Sequence, residues 1–179
     1  MEPTAGSGTS LSQPAAGRKR VALLAPLVGA IALGAVVATS VVAAAHRQPK
    51  TIEAALEAFR SREVSADASP SRPAPDLESE GLGLAGSGHR VLGGLAVDVF
   101  TYRTPGGSRV LVLLSFHPFP RARHASTRSG PHRGWRATVD NDFLACANRP
   151  VPYLVIGPDR RLVDRADVAL SDAFLSSTA

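Results

Sequence analysis

The sequence predicts an α+β protein with one transmembrane helix, followed by a small antiparallel sheet of about five strands with a C-terminal helix. Three observations predict this class. Residues 21–45 are apolar and uncharged, residues 81–157 hold short β-branched runs between glycines and prolines, and residues 160–175 carry an apolar stripe at helical spacing. The predicted organisation is a disordered cytoplasmic tail over 1–20, the transmembrane helix over 21–45, a juxtamembrane helix and linker over 46–80, and the folded domain over 81–179.

The apolar stretch over 21–45 is the strongest single signal. As a helix its 25 residues would be ~37 Å long, which exceeds the ~30 Å hydrocarbon core of a bilayer. A helix is expected because backbone amides in lipid must be hydrogen-bonded within the segment. A cleaved signal peptide ending at Ala45 is the alternative, but the stretch is longer than the usual ~7–15 apolar residues of such signals. Its length favours an anchor, and the sequence leaves cleavage open.

Basic residues on either side of this stretch predict its orientation. Arg18, Lys19 and Arg20 precede it, whereas only Arg47 and Lys50 follow closely. The excess of basic residues before the span predicts a single-pass protein of the cell membrane with a cytoplasmic N-terminus and an extracytoplasmic C-terminal domain.

Two kinds of segment are expected between the span and the domain. Residues 51–62 place Ile52, Leu56 and Phe59 on one side of a short amphipathic helix. The sequence does not decide whether this helix packs on the domain or lies at the lipid surface. Residues 65–80 contain three prolines among serine, alanine and aspartate, which predicts a semi-extended linker without core residues.

The domain itself is predicted from strand patterns and turn residues. The run over 109–116 is almost continuously apolar, which is typical of a central strand. Asn141 marks the turn of a second hairpin, and Asp159 is placed to cap the C-terminal helix over 160–175. The strands are expected over 82–92 as a short first strand, 96–103, 109–116, 135–140, 142–147 and 151–156.

One basic segment dominates the charge pattern. The net charge is +5, and the stretch from 121 to 136 alone holds five arginines and no acidic residue. These form the candidate interaction patch: Arg121, Arg123, Arg128 and Arg133 in a predicted polar loop over 118–134, and Arg136 in the predicted strand that follows it. Nucleic acid is not an expected partner, because the predicted orientation places the loop outside the cell. Membrane lipid, another membrane or regulatory protein, and a loop that is merely solvated all stay open.

The chain gives no pattern for catalysis, cofactor binding or metal binding. Ser115, His89 and Asp98 can be assembled into a triad on paper, but no strained turn presents a nucleophile. His117, His124 and His132 share the basic loop, where neighbouring arginines oppose a cation. The single cysteine, Cys146, lies in an apolar run and is expected to be a buried thiol, with intermolecular pairing as the alternative. The chain is therefore expected to be non-enzymatic, without cofactor or metal.

Four segments of the domain resemble a known family. They are LGLAGSGHRVLGGLAVDVFTYR (82–103), GGSRVLVLLS (106–115), GWRATVDNDFLACA (134–147) and VPYLVIGPDRRLVDRADVAL (151–170). Their order is similar to that of the extracytoplasmic domain of actinobacterial membrane-anchored anti-sigma factors. Such proteins carry a zinc-binding, sigma-binding domain before the membrane helix. About 20 residues precede the span here, without histidine or cysteine, so neither function carries over.

The resemblance implies a membrane-anchored sensor or accessory domain, similar to the outer part of an anti-sigma factor. The alternative is a secreted or anchored ligand-binding domain without a link to sigma factors. Ligand, partner and oligomeric state are not predicted.

Overall fold

The computed structural model of the chain describes residues 48–61, 68–128 and 134–176, which belong to one compact unit. The predicted tail over 1–20 and the predicted span over 21–45 lie outside the described residues. Within the described part, none of the helices has the length and apolar character needed to cross a bilayer.

In the described part of the chain, seven antiparallel strands form one sheet, which confirms the predicted α+β class but exceeds the predicted count of about five. The order across the sheet is β1-β2-β3-β7-β6-β5-β4. The strands are β1 (Gly83–Leu92), β2 (Leu95–Arg103), β3 (Arg109–Ser115), β4 (Ser126–Arg128), β5 (Gly134–Val139), β6 (Asp142–Ala147) and β7 (Tyr153–Gly157). The helices are α1 (Lys50–Arg60) and α2 (Arg160–Ser176), with a short 3-10 helix over Glu78–Glu80.

Two tight turns set the register of the hairpins. Gly93 and Gly94 join β1 to β2 with φ of 56° and 90°, and Asp140 and Asn141 join β5 to β6 with φ of 49° and 71°. Two consecutive positive φ values are typical of the two-residue turn that matches the twist of antiparallel strands. The hairpin predicted around Asn141 is therefore present.

β3 is buried on both faces, as its apolar run predicts. Leu111 and Leu113 pack under α1, whereas Val112 and Leu114 pack on the face that α2 covers. Successive side chains of a strand point to opposite faces, so one strand serves two cores. The result is three layers, with α1 on one side of the sheet and α2 on the other.

Helix α1 packs on the domain and is part of its core. The sequence had left open whether this helix packs on the domain or lies at the lipid surface. Ile52, Leu56 and Phe59 are all buried against the sheet. At the start of the helix, a Cβ at Gly93 would lie 2.5 Å from the carbonyl carbon of Lys50, so only glycine permits this approach. At its end, the guanidinium of Arg109 donates hydrogen bonds to the last carbonyl groups of the helix.

The described part of the predicted linker is packed on the domain. Residues 68–77, named here the strap, pair with β1 through Ala68 and His89. Leu77 is buried in the α2 core, and the hydroxyl of Tyr102 donates to the carbonyl of Pro75. The sequence predicted a linker without core residues, whereas the strap contributes Leu77 to the core. A segment without regular secondary structure can still bury a single apolar side chain.

Helix α2 begins as predicted. One carboxylate oxygen of Asp159 accepts hydrogen bonds from the backbone N–H groups of Arg161 and Leu162, at 2.7 and 3.2 Å. These contacts satisfy donors that the first turn of a helix leaves unpaired. Leu162, Ala166 and Leu170 then bury the predicted apolar stripe.

Candidate functional site

The structure divides the candidate patch of five arginines. Arg121 and Arg123 lie in the segment 116–125 that follows β3. Arg128 lies in β4 and Arg136 in β5, where the pairing of the two strands brings them together. Arg133 lies outside the described residues. The role of this set as an interaction surface stays a prediction.

Arg128 and Arg136 both bind one buried carboxylate. Asp167 lies on the sheet-facing side of α2 with 0% of its surface exposed, and the two guanidinium groups approach it to 2.6 and 3.0 Å. The hydroxyl of Tyr153 donates to the same carboxylate at 2.8 Å. A carboxylate out of contact with water requires such partners, because its desolvation is otherwise very unfavourable. These two arginines are therefore committed to an internal contact.

Tyr153 links this carboxylate to Ser171, whose hydroxyl lies 2.6 Å away. Burial raises the pKa of the Tyr153 hydroxyl well above its usual range, and the charge of Asp167 adds to the effect. Tyr153 consequently stays neutral and serves as a structural hydrogen-bonding group.

A polar cleft of about 320 Å³ opens beside this network, between β5 and the start of α2. Its wall includes the imidazole of His124, the guanidinium groups of Arg136 and Arg160, and the carboxylate of Asp164. Asp164 lies 3.1 Å from Arg136, so opposite charges in the wall already pair with each other. The cleft thus lacks the predominantly apolar lining that is typical of small-molecule pockets.

Arg121 and Arg123 belong to a segment that has a defined position. Phe119 is buried, and its backbone N–H and carbonyl bond the side-chain amide of Asn148 at 3.0 and 3.4 Å. The backbone N–H of Arg123 donates to the side chain of Gln48 at 2.8 Å. The expected polar loop is therefore held against the start of α1.

A second buried carboxylate organises the other edge of the sheet. Asp98 is 1% exposed and accepts hydrogen bonds from the hydroxyl and backbone N–H of Ser71, at 2.7 and 2.9 Å. His89 Nδ1 lies 2.9 Å and Arg72 Nε 3.3 Å from the same carboxylate. Asp98 thereby fastens the strap to β1 and β2.

This arrangement differs from a catalytic triad. The structure brings His89 and Asp98 together, but Ser115 faces the other side of the sheet, beside Val97. Ser71 takes its place next to Asp98, and here the carboxylate lies between serine and imidazole. In a triad the imidazole lies between the other two groups and accepts the serine proton.

The hydrogen bonds to Asp98 predict an acid-sensitive contribution to stability. Burial alone would raise the pKa of Asp98, but the bonds from His89, Ser71 and Arg72 outweigh it and lower the pKa from 3.8 to about 2. A depressed folded-state pKa stabilises the protein above the unfolded-state value. The contribution is about 2 kcal/mol, and it disappears as the pH falls from about 4 to about 2.

We therefore expect Asp98→Asn to lower the free energy of unfolding at neutral pH by about 2 kcal/mol and to flatten its decline below about pH 4. Urea unfolding of the full chain in non-ionic detergent, at a series of pH values, measures both effects. Asp172→Asn on the exposed side of α2 is the control and should change neither. If the free energy of unfolding of Asp98→Asn fell below about pH 4 as steeply as that of the wild type, Asp98 would not be the source of the acid sensitivity.

Cys146 lies in the core on β6 with no exposed surface, as its apolar neighbours predict. Burial raises the pKa of its thiol far above the ordinary value, so the thiol stays protonated and unreactive. Across the described residues no three histidine, cysteine or acidic side chains come together as a metal site. His132 of the predicted histidine cluster lies outside them.

Sequence reasoning missed both buried carboxylates. The signal for Asp167 was present, since it lies four residues after Val163 and three before Leu170, within the apolar stripe of α2. An acidic residue on such a face requires a buried cationic partner. Asp98 carried no comparable indication, because a polar residue between Val97 and Val99 is also compatible with a strand that has one face in solvent.

Comparisons of this chain with protein-family models, with curated proteins and with solved structures find no match.

Proposed function

We propose that this chain is a single-pass membrane-anchored protein whose outer domain is a non-enzymatic sensor or accessory domain. Residues 21–45 form the anchor, and the domain contacts another membrane or regulatory protein. The similarity of segments 82–103 and 134–147 to the outer part of anti-sigma factors supports the sensor reading.

The packing of α1 is the observation that supports a sensor most directly. Only residues 46–49 separate the proposed anchor from Lys50, the first residue of the helix. Ile52 and Ala55 are fully buried against the sheet, so the helix moves with the domain. The folded domain therefore begins within a few residues of the proposed anchor, without a long linker along the chain between them.

The test is affinity capture from detergent-solubilised membranes after a carbonate wash. The proposal expects the full chain to remain in the washed membranes and to recover a reproducible partner. Val112→Asp keeps the anchor but disrupts the domain, and it should lose that partner. Val168→Asp, at an exposed position of α2, is the matched control and should retain it.

Release of the intact chain by carbonate would refute the anchor. If the wild-type chain, Val112→Asp and Val168→Asp all recovered the same proteins, the folded domain would have no role in the capture, because the span alone would explain it.

A further inference from the structure

One end of the sheet, named here the proximal end, gathers four segments of the chain. They are the start of α1, the β1–β2 turn, and the segments 116–125 and 148–152. Gly93 of the turn lies against Lys50, and Arg123 donates to Gln48. The backbone N–H of Ser115 donates to the carbonyl of Pro152, which places the fourth segment beside the end of β3.

The proximal end carries more basic than acidic residues. Residues 48–52, 93–94, 116–125 and 148–152 contain no aspartate or glutamate, and Glu53, in the first turn of α1, is an exposed acidic residue beside them. Lys50, Arg121 and Arg149 are exposed cations of these segments, and Arg123 lies beside them. At the opposite, distal end the turn residues 104–108, 140–141 and 158–159 contain two aspartates, and the exposed arginines Arg60, Arg103 and Arg161 lie beside them.

Exposed apolar side chains accompany these charges. Phe116 follows β3 directly with 70% of its surface exposed, and Val91, near the end of β1, is 62% exposed. The guanidinium carbon of Arg72 lies 4.3 Å from the ring centroid of Phe116. Aromatic and aliphatic tips beside basic side chains are the combination that peripheral proteins insert at the boundary of headgroups and acyl chains.

Along the chain, this end follows the proposed anchor closely. Three residue steps separate Gln48 from residue 45, and an extended chain spans at most ~3.6 Å per residue, so the connecting chain is at most about 11 Å long. The proximal end is the part of the domain that contains Gln48. A basic surface at that distance is within the range of the potential of an anionic leaflet.

We propose that the proximal end docks on anionic lipid headgroups of the leaflet from which the anchor emerges. This inference rests on the anchor proposed above and adds an orientation for the domain. Lys50, Arg121 and Arg149 contact phosphates, and Phe116 reaches the boundary of the acyl chains. The docked surface is the end of the sheet from which α1 begins, so release from the lipid would free the domain to change its angle to the membrane.

Tryptophan quenching by brominated lipid tests this orientation in the full chain. The single native tryptophan, Trp135, is buried and supplies a constant background. Phe116→Trp places a reporter at the proximal end, and Leu84→Trp places one at an exposed distal position, opposite Tyr102 in the register. Both variants are reconstituted in nanodiscs of brominated phosphatidylcholine, with or without phosphatidylglycerol.

We expect quenching of the Phe116→Trp reporter only in nanodiscs that contain phosphatidylglycerol, with its loss at about 1 M salt, where the screening length falls to ~3 Å. Adding Lys50→Glu and Arg149→Glu to this variant should abolish the quenching. Adding Arg103→Glu and Arg161→Glu, which reverse two exposed charges near the distal end, should leave it intact.

Co-elution with the nanodiscs separates the two proposals. A chain that elutes apart from them would remove the anchor and this orientation together. A chain that co-elutes without quenching at either reporter, or with equal quenching at both, would retain the anchor and overturn the docking surface.

Discussion

Replacing Val112 by aspartate is expected to unfold the domain. Val112 is fully buried in β3 and packs with Phe100 and Val155 in the core that α2 covers. An unpaired carboxylate there would cost several kcal/mol, which approaches the ~5–15 kcal/mol that stabilises a typical domain. The emission of Trp135 and limited proteolysis of the full chain in detergent measure the loss.

Val168→Asp provides the comparison for this substitution. Val168 is 53% exposed on α2, so the same chemical change should alter the free energy of unfolding by less than about 0.5 kcal/mol. A protease-resistant Val112→Asp domain would show that β3 is not an interior strand.

Asp167→Asn is expected to lower the free energy of unfolding by about 3–5 kcal/mol, because it leaves two guanidinium groups facing a neutral amide. Arg128 and Arg136 reach Asp167 from two neighbouring strands, so the loss should also loosen β4 at the edge of the sheet. Urea unfolding gives the energy, and hydrogen exchange of the amides in β4 and β5 gives its location.

Asp164→Asn is the matched control, since Asp164 also contacts Arg136 but has 36% of its side chain exposed. Partly exposed ion pairs contribute about 0–1 kcal/mol, and we expect a change of that size. Equal effects of the two substitutions would show that burial of Asp167 does not strengthen its ion pairs.

The elements that the sequence predicted are those whose causes lie close together along the chain. Asn141 tolerates the positive φ of a tight turn, Asp159 supplies an oxygen to N–H groups two and three residues on, and the run over 109–116 is apolar at nearly every position. Each of these signals acts within one turn or one strand, so the residue types suffice to identify it.

The missed features depend on distant partners. β4 occupies only three residues of a polar segment, and it exists because Thr127 and its neighbours pair with β5. The strap lacks helix or strand periodicity, and Asp98 fixes it across 27 positions of the chain. Neither feature produces a local pattern of residue types.

The basic segment 121–136 shows most clearly which properties follow from the sequence alone and which depend on the tertiary structure. Composition alone determined that five arginines stand together between 121 and 136 without an acidic residue. Only the tertiary structure decided that Arg128 and Arg136 turn inward to Asp167, 39 and 31 positions away, while Arg121 stays at the surface beside the start of α1. Charge is a property of each residue, but whether a charge is displayed or neutralised depends on which carboxylate the fold brings within about 3 Å.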